Sequence, residues 1–262
     1  MSMLRDRWAL VTGASSGLGL GFAGELASRG AHLVLVARRQ DRLLALAQEL
    51  RSRFGRQVEP IAMDLAAESA PVELHGRLKA AGRNIDVLIN NAGLGLYGPF
   101  MDIPWERERG MLQLDIVTLV HLTRLFVPDM VARRFGFVLQ VSSIGAFQPT
   151  PLYASYSAAK AFVLSHGEAL NYELRGTGVS CTVLSPGVTA TEFLEVSGQR
   201  ATFYQRRMMM QSADVTRIGV EAMLRGKPSV VPGLMNALTA FGTRFMPRRL
   251  AAAIAYRTMK SS

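Results

Sequence analysis

The sequence is poor in cysteine and acidic residues, and it lacks a long apolar run. Its 262 residues include a single cysteine, Cys181, so no internal disulfide can form and a reducing, cytoplasmic setting is expected. No uninterrupted apolar stretch approaches the roughly 20 residues that a membrane-spanning helix requires. No apolar signal segment fits ahead of the first predicted strand, which begins at Trp8. These absences favour a cytoplasmic protein.

Acidic residues are scarcest in the last quarter of the chain, where only Asp214 and Glu221 follow Glu195. The formal net charge is +10, and eleven basic residues against these two acids account for +9 of it. Such a concentration of charge can attract an acidic partner or an anionic lipid surface, although a solvated arginine-rich surface is the more common explanation. The eleven are Arg200, Arg206, Arg207, Arg217, Arg225, Lys227, Arg244, Arg248, Arg249, Arg257 and Lys260.

Short β-branched runs alternate with longer helical stretches along the chain. Near-continuous apolar runs of this kind are typical of strands that are covered on both faces of a sheet. The alternation predicts an α/β Rossmann fold, a doubly wound parallel sheet of about seven strands with helices on both faces. The strands are expected at 8–11, 33–36, 58–62, 87–89, 137–141, 179–184 and 230–231.

We expect the whole chain, 1–262, to form a single domain. It divides into a cofactor half over roughly 1–140, a catalytic and substrate half over roughly 141–233, and a basic helical C-terminal extension over 234–262. The segment from about 190 to 211 interrupts the strand–helix alternation. It precedes a helix that Ser212 is expected to cap, and its position makes it a candidate lid over a substrate.

A glycine-rich loop follows the first strand and opens a helix. Glycines at this point permit a tight turn and let the backbone approach a pyrophosphate, while the helix N-terminus offers unpaired N–H donors. The loop therefore predicts a dinucleotide site made by Gly13, Ser15, Ser16, Gly17, Leu18 and Gly19.

The end of the second strand indicates which dinucleotide is preferred. A site for NAD(H) usually has an acid there for the ribose 2′-hydroxyl, but this strand ends in Arg38 and Arg39. Guanidinium groups can pair with a 2′-phosphate, so NADP(H) is preferred and NAD(H) is less expected. Asp41 is a rival acid, but it lies in the first turn of the next helix, where a carboxylate serves the helix dipole. The alternative for the two arginines is a solvated helix start.

Three residues further along the chain have the chemistry of a carbonyl reductase. Tyr156 and Lys160 are four apart and share a helix face, and Ser143 follows the fifth strand. A free tyrosine titrates near about pH 10, and the Lys160 ammonium and the positive nicotinamide ring of the oxidised cofactor are expected to lower that pKa. Tyr156 would protonate a carbonyl oxygen that Ser143 holds, and Lys160 would also bind the nicotinamide ribose. Tyr256 and Lys260 repeat the spacing without an upstream strand and serine, so that pair is interpreted as a coincidence.

With these motifs the chain resembles the short-chain dehydrogenase/reductase family, in its NADP-preferring branch. The similarity runs from about Arg7 to Gly233. It rests on Thr12-Gly13-x-x-x-Gly17-x-Gly19, Asp64-Leu65, Asn90-Asn91-Ala92-Gly93, Ser143, Tyr156-x-x-x-Lys160 and Pro186-Gly187-x-x-x-Thr191.

The resemblance implies roles for residues that the motif chemistry alone does not assign. Asp64, with Leu65 beside it, would contact the adenine ring, and Ser15 and Arg38 the 2′-phosphate. Homodimers or homotetramers built on the helices that carry Asp115 and Tyr156 are implied as well. Asn91, Ala92 and Gly93 would line the cofactor cleft, and Pro186, Gly187, Val188 and Thr191 would hold the carboxamide.

Asp115 departs from the family pattern, which commonly has asparagine at this place. That asparagine holds a water that relays protons to the lysine. Aspartate can accept from such a water but cannot donate to it, and its charge would hold Lys160 protonated. Asp115 is therefore counted with the catalytic group, and the alternative to an enzyme is a catalytically impaired, NADP-binding sensor.

The substrate is expected to be a small apolar carbonyl compound, such as an acyl, steroid-like or aromatic ketone. Its pocket would use the stretch before Tyr153 and the lid with its methionines, which suit a shape-tolerant wall. These residues could equally be ordinary core. The loop expected on the other side of the pocket is Leu94, Gly95, Leu96 and Tyr97.

An apolar stripe recurs at helical spacing in the C-terminal extension, with basic residues beside it. Such a stripe can lie on an anionic membrane surface, so peripheral membrane association is one interpretation. It is more often a core-facing or subunit-contacting face. The stripe consists of Leu234, Leu238, Phe241, Phe245, Leu250 and Ile254.

The sequence contains no metal-site spacing and no nucleic-acid motif. The four histidines are far apart in the chain, so no metal and no nucleic acid are expected. They are His32, His75, His121 and His166.

Overall fold

Seven strands form one parallel sheet in the order β3-β2-β1-β4-β5-β6-β7. The computed structural model describes residues 3–260, so the four terminal positions of the predicted domain lie outside the described residues. The strand order reverses between β1 and β4, and open sheets of this type bind ligands at the carboxyl ends of the strands at that point. The strands are β1 Trp8–Thr12, β2 His32–Ala37, β3 Val58–Ala62, β4 Ile85–Asn90, β5 Gly136–Val141, β6 Val179–Leu184 and β7 Ser229–Val230.

Helices cover both faces of the sheet, which confirms the predicted fold class. On one face, Phe22, Leu43 and Val220 join a buried cluster that includes Val11 from the sheet. On the other, Leu74 and Phe126 pack in a second buried cluster. The helices are α1 Gly17–Ser28, α2 Gln40–Phe54, α3 Ala70–Ala80, α4 Trp105–Leu112, α5 Leu119–Ala132, α6 Ala154–Glu173, α7 Phe193–Ser197, α8 Phe203–Met208, α9 Ser212–Leu224, α10 Leu234–Gly242 and α11 Arg248–Met259.

A turn of π-helix, Gln113–Thr118, joins α4 to α5 and carries Asp115. The continuous helical segment Trp105–Ala132 is long and apolar enough to cross a membrane, judged by length and composition only, and 39% of its most apolar window is buried. It also supplies Leu122 and Phe126 to the core beside the sheet. Its apolar residues therefore serve the packing of this fold.

The segment from 190 to 211 contains two short helices, α7 and α8, and we call it the lid segment. The prediction that Ser212 caps the following helix is wrong, because α9 begins at Ser212 and Gln211 precedes it. The Ser212 hydroxyl donates instead to the carbonyl oxygen of Gly17, at 3.1 Å. This bond ties the end of the lid segment to the start of α1.

Candidate active site

A cleft of about 710 Å³ runs along the carboxyl ends of the strands. Its size is that of an ordinary ligand site. Gly19 and Asp115 are the two predicted site residues that do not line it, because Gly19 packs beneath the loop and Asp115 is fully buried. The others all line it: Gly13, Ser15, Ser16, Gly17, Leu18, Arg38, Arg39, Asp64, Leu65, Asn91, Ala92, Gly93, Ser143, Tyr156, Lys160, Pro186, Gly187, Val188 and Thr191.

The glycine loop has the geometry of an anion-binding cradle. Gly13 and Gly17 have positive φ angles, +67° and +54°, which side chains disfavour. A Cβ atom on Gly19 would lie 2.1 Å from the Gly13 carbonyl oxygen, so only glycine allows this close approach. The Ser16 side chain does not cap the first amides of α1, which leaves these donors for a pyrophosphate. The loop therefore fits a dinucleotide.

Thr12 and Asn91 join the ends of β1 and β4 beneath this cradle. The Thr12 hydroxyl donates to the carbonyl of Ile89 at 3.1 Å and accepts the backbone N–H groups of Asn91 and Ala92, each at 3.0 Å. The Asn91 side-chain amide donates to the Thr12 carbonyl at 2.9 Å. These bonds fix the ends of the two neighbouring strands where the cleft begins.

Two arginines lie at the rim beyond β2, and they are placed differently. Arg39 donates to the Ser15 hydroxyl at 3.2 Å and to the Glu192 carboxylate at 3.0 Å, whereas Arg38 is exposed. The resemblance implies that Ser15 and Arg38 contact a 2′-phosphate, and this stays a prediction; the arginine that reaches the Ser15 side chain is Arg39. Arg42 also pairs with Glu192, at 2.6 Å. Glu192 therefore ties the lid segment to this rim.

Ser143, Tyr156 and Lys160 meet at the base of the cleft. Ser143 follows β5 and accepts the Gly145 N–H at 3.1 Å, which fixes its hydroxyl. The Ser143 hydroxyl lies close enough to Tyr156 to lower its pKa, and Lys160 Nζ lies 5.6 Å from the centroid of the Tyr156 ring. Lys160 is buried one helical turn further along α6 and donates to the Val141 carbonyl at 3.1 Å. The three side chains that the sequence singled out are thus brought together.

Asp115 lies behind Lys160 and forms a buried ion pair with it. Its Oδ2 is 3.0 Å from Lys160 Nζ, and its Oδ1 accepts the Leu94 N–H at 2.8 Å. Burial raises the pKa of Asp115, and the Lys160 cation and the Leu94 bond oppose that rise. A Cβ on Gly93 would lie 3.1 Å from Asp115 Oδ1 and 3.2 Å from Lys160 Nζ, so glycine leaves room for the pair.

The pKa of Tyr156 lies above its ordinary value, opposite to the direction that the sequence predicted. Burial of the hydroxyl raises the pKa most, the Asp115 charge raises it further, and the Ser143 hydrogen bond lowers it. The Lys160 ammonium, which is paired with Asp115 at 3.0 Å, does not offset the effect of burial on this pKa. The prediction from sequence did not take into account the burial of the Tyr156 hydroxyl, which has the largest effect on this pKa.

The lid segment covers the tyrosine with aromatic rings and a polar network. The ring centroids of Phe193 and Tyr153 lie 5.4 Å and 5.6 Å from that of Tyr156. The Tyr153 hydroxyl is 3.0 Å from the Ser197 hydroxyl and donates to the Gln199 side chain at 2.9 Å. The cleft thus narrows to an apolar chamber above the reactive hydroxyl.

The loop after β4 contributes less to this chamber than the sequence predicted. Leu94 and Gly95 line the cleft, but Leu96 and Tyr97 do not. Leu96 is buried in the protein, and the Tyr97 ring packs on Tyr153 with the centroids 5.3 Å apart. The two residues therefore support the chamber from behind.

Sequence reasoning missed the wall that the C-terminal extension supplies. The signal was available on the face of α10 opposite the apolar stripe, where Asn236 and Ala240 are buried. The extension's lining residues are Asn236, Thr239, Ala240, Gly242, Thr243, Met246, Ile254, Thr258 and Met259. Tyr256 and Lys260 do not line the cleft.

Over residues 3–260, no group of three His, Cys, Asp or Glu side chains is placed to hold a metal ion.

Comparison with known proteins places this site in context. The sequence model described as short chain dehydrogenase matches residues 7–201. An uncharacterized oxidoreductase of Myxococcus xanthus (strain DK1622) is 34% identical over 88% of each chain. The very-long-chain 3-oxoacyl-CoA reductase of Bos taurus is 34% identical over 84% of this chain and 71% of its own.

Solved structures show the same architecture. A short-chain dehydrogenase from Sphingobium yanoikuyae in complex with NADPH is 31% identical, with a TM-score of 0.81 over 92% of this chain and 94% of its own. Several similar structures hold NADP or NADPH, and another holds NAD. The cofactor class is therefore a nicotinamide dinucleotide.

Proposed function

Because the chain belongs to the short-chain dehydrogenase/reductase family of oxidoreductases, which act on CH–OH and C=O groups, we propose that it is an NADPH-dependent reductase of apolar ketones. The same site run in reverse is an alcohol dehydrogenase. The observation that carries the proposal is that Ser143, Tyr156 and Lys160 line the same cleft as the glycine loop.

The preference for NADPH over NADH rests on the charges at the rim of the cleft. Two arginines, Arg38 and Arg39, follow β2 and line the cleft, and the Ser15 hydroxyl lies beside Arg39. Guanidinium and hydroxyl donors suit a 2′-phosphate, whereas a ribose diol is held best by a carboxylate. The NADPH-bound structure from Sphingobium yanoikuyae supports the same preference.

In the proposed mechanism the protein orients a carbonyl group and moves one proton. The bound nicotinamide supplies the hydride. The Tyr156 hydroxyl gives its proton to the carbonyl oxygen, and the Ser143 hydroxyl donates a hydrogen bond that stabilises the charge developing there. Lys160, held by Val141 and Asp115, would present its remaining N–H donor to the ribose of a bound dinucleotide. The high pKa of Tyr156 keeps the hydroxyl protonated at neutral pH, as reduction requires.

The substrate class is inferred from the side chains that line the chamber. Phe193, Leu194, Val196 and Met208 of the lid segment line it, and Ile254 lines it from the extension. An apolar lining of this kind favours an acyl, steroid-like or aromatic carbonyl over a sugar. The name of the Bos taurus relative, a very-long-chain 3-oxoacyl-CoA reductase, supports an acyl substrate.

A second candidate function is a sensor that binds NADPH without turnover, and Asp115 is the observation that favours it. The ion pair with Lys160 neutralises the cation that would stabilise a tyrosinate, and aspartate cannot donate to a relay water. A sensor would bind NADPH yet reduce no ketone.

Assembly as a homodimer or homotetramer is also proposed. The resemblance implies that the subunits meet through the helices that carry Asp115 and Tyr156.

Turnover of NADPH with a panel of acyl, steroid and aromatic ketones tests the proposal. Tyr156→Phe should abolish turnover and leave NADPH binding intact, because it removes the proton donor alone. Tyr256→Phe is the matched control, since Tyr256 has the same spacing to a lysine but lies outside the cleft, and it should behave as the wild type. NADPH binding without turnover of any ketone by the wild type would favour the sensor instead.

A further inference from the structure

The C-terminal extension exposes its large apolar residues and buries its small ones. Leu234, Phe241 and Phe245 are exposed by 76%, 54% and 77%, and Leu250 by 51%. We call Leu234, Leu238, Phe241, Phe245, Leu250 and Ile254 the C-terminal stripe; all six are exposed.

The inner faces of α10 and α11 are filled by Ala240, Ala251 and Ala255. A surface helix of a soluble domain normally has the reverse arrangement. Contiguous apolar patches of this kind mark an interaction surface.

Cations surround the stripe without acidic partners. No aspartate or glutamate follows Glu221 in the sequence. Within residues 3–260, none of the extension's basic side chains forms an ion pair. These exposed side chains are Arg244, Arg248, Arg249, Arg257 and Lys260.

Two of the cations lie beside exposed aromatic rings. The Arg244 guanidinium is 5.8 Å from the centroid of Phe241, and Lys260 Nζ is 5.7 Å from that of Tyr256. The Phe241 and Phe245 rings contact each other edge to face at 5.4 Å. Apolar rings with cations at their borders match the boundary between acyl chains and anionic headgroups.

The charge pattern distinguishes between the surfaces that could cover the stripe. A second copy of the extension would bring five further cations against the first five and no acid to offset them. Like-charge contact of this kind opposes pairing. An anionic surface instead gains from every one of these cations. We propose that the C-terminal stripe docks the protein on anionic phospholipid membranes.

The docked surface borders the mouth of the cleft. Ile254 belongs to the stripe and also lines the cleft, and Thr243 and Met246 line it between α10 and α11. Docking would therefore bring the cleft to the lipid phase, where apolar carbonyl compounds collect. This last step rests on the proposed function, whereas the docking itself requires no turnover.

Co-sedimentation of the full chain with vesicles tests the docking. The vesicles contain either phosphatidylcholine alone or equal parts of phosphatidylcholine and phosphatidylglycerol. The wild type should sediment with the anionic vesicles. Arg248→Glu with Arg249→Glu should weaken that binding by about 30-fold or more, because each cation near such a surface contributes about a factor of five to ten. Phe241→Ser with Phe245→Ser should weaken it at least tenfold.

Matched variants separate docking from nonspecific effects. Arg53→Glu with Arg107→Glu changes the net charge equally at exposed positions outside the extension and should bind as the wild type. Phe100→Ser with Met101→Ser removes an exposed apolar pair elsewhere and should also bind as the wild type. NADPH affinity should be unchanged in all four double variants, which shows that they are folded.

Three results would overturn the proposal. The first is failure of the wild type to sediment with anionic vesicles at low salt. The second is equal loss of binding in the stripe variants and their matched controls, which would indicate a diffuse effect of charge or apolarity. The third is a smaller oligomer on gel filtration of the stripe variants alone, since a second copy of the chain would then cover the stripe.

Discussion

Asp115 controls the charge beneath the reactive tyrosine. Its carboxylate is fully buried, pairs with Lys160 at 3.0 Å and raises the pKa of Tyr156. An asparagine at this place would keep an acceptor for the Leu94 N–H and would leave the Lys160 charge uncancelled. The single difference between aspartate and asparagine therefore changes how readily Tyr156 gives up its proton.

Asp115→Asn should shift the pH dependence of alcohol oxidation to lower pH. Tyr156 acts as the base in that direction, so the rate rises as pH passes the pKa of Tyr156. Removing the Asp115 charge lowers that pKa, and the rising limb moves down with it. The measurement is the pH profile of kcat with NADP⁺ and an alcohol product.

Glu108→Gln is the control for this shift. Glu108 is also buried and lies in the same helical segment, but it contacts Ser155 and is not a cause of the Tyr156 pKa. Its profile should match that of the wild type. A profile that does not move in Asp115→Asn would mean that the carboxylate is uncharged in the working enzyme.

Individual residue types were predictable from the sequence, but their side-chain directions were not. Ser143, Tyr156 and Lys160 were identified because their spacing and strand context are informative. The order of Arg38 and Arg39 at the rim depends on how the chain turns after Ala37, which puts Arg39 toward Ser15. The sign of the Tyr156 pKa shift depends first on burial of the hydroxyl and then on the charge of Asp115, 41 residues away in sequence, and no local pattern records either effect.

The helix α1 contains two glycines whose replacement should have opposite effects. A Cβ on Gly19 would lie 2.1 Å from the Gly13 carbonyl oxygen, whereas a Cβ on Gly24 would meet nothing within 4 Å. Gly19→Ala should displace the loop, cost roughly 1–3 kcal/mol and abolish NADPH binding. Gly24→Ala should raise stability by roughly 0.5–1 kcal/mol and keep binding. Thermal unfolding and NADPH titration measure both effects, and equal behaviour of the two variants would contradict the role of the loop.

The lid segment is attached to the cofactor rim through Glu192. Arg39 and Arg42 both pair with this carboxylate, which lowers its pKa. A 2′-phosphate at the rim would compete with Glu192 for Arg39. Glu192→Gln should therefore tighten NADPH binding by about two- to fivefold and leave NADH binding unchanged.

Fluorescence titration with each nucleotide checks this prediction. Glu195→Gln is the control, because Glu195 is exposed on the same segment and forms no ion pair within residues 3–260. It should change neither affinity. Equal tightening of NADPH and NADH in Glu192→Gln would exclude the 2′-phosphate as the competitor.

The elements were predictable where one pattern dominated. All seven strands were expected from their apolar runs, because strands buried on both faces need no polar alternation. The π-turn that carries Asp115 and the two short helices of the lid segment have no comparable signal. Their backbone is set by tertiary contacts, such as the bond from Leu94 to Asp115.

At the scale of the whole molecule, a buried polar network joins the active site to the C-terminus. The Gln199 side-chain oxygen accepts a hydrogen bond from the Tyr153 hydroxyl, and its amide donates to the carbonyl of Met259 at 2.7 Å. Gln205 donates to Gln199 at 2.8 Å, and Thr202 donates to the carbonyl of Thr258 at 3.1 Å. The lid segment and α11 are therefore positioned together.

The stripe of the C-terminal extension was visible in the sequence, but its direction was not. Helical spacing shows that Leu234, Leu238 and Phe241 share a face, and such faces usually pack inward. Here the inward face is formed by residues such as Asn236 and Ala240, which fit close to the cleft. Only the position of α10 over the cleft determines which face meets solvent.

The division of the chain into cofactor and substrate halves stays a prediction.

Truncation after Pro247 tests whether α11 is part of the substrate site. It removes Ile254, Thr258 and Met259 from the cleft wall and takes away the Met259 carbonyl to which the Gln199 side chain donates. The glycine loop and the Tyr156 site are untouched, so the KM for an apolar ketone should rise severalfold or more while NADPH affinity stays constant. Truncation after Met259 keeps the whole wall and should leave both values unchanged. If both truncated chains have the wild-type KM, α11 does not contact the substrate, and the chamber ends at the lid segment.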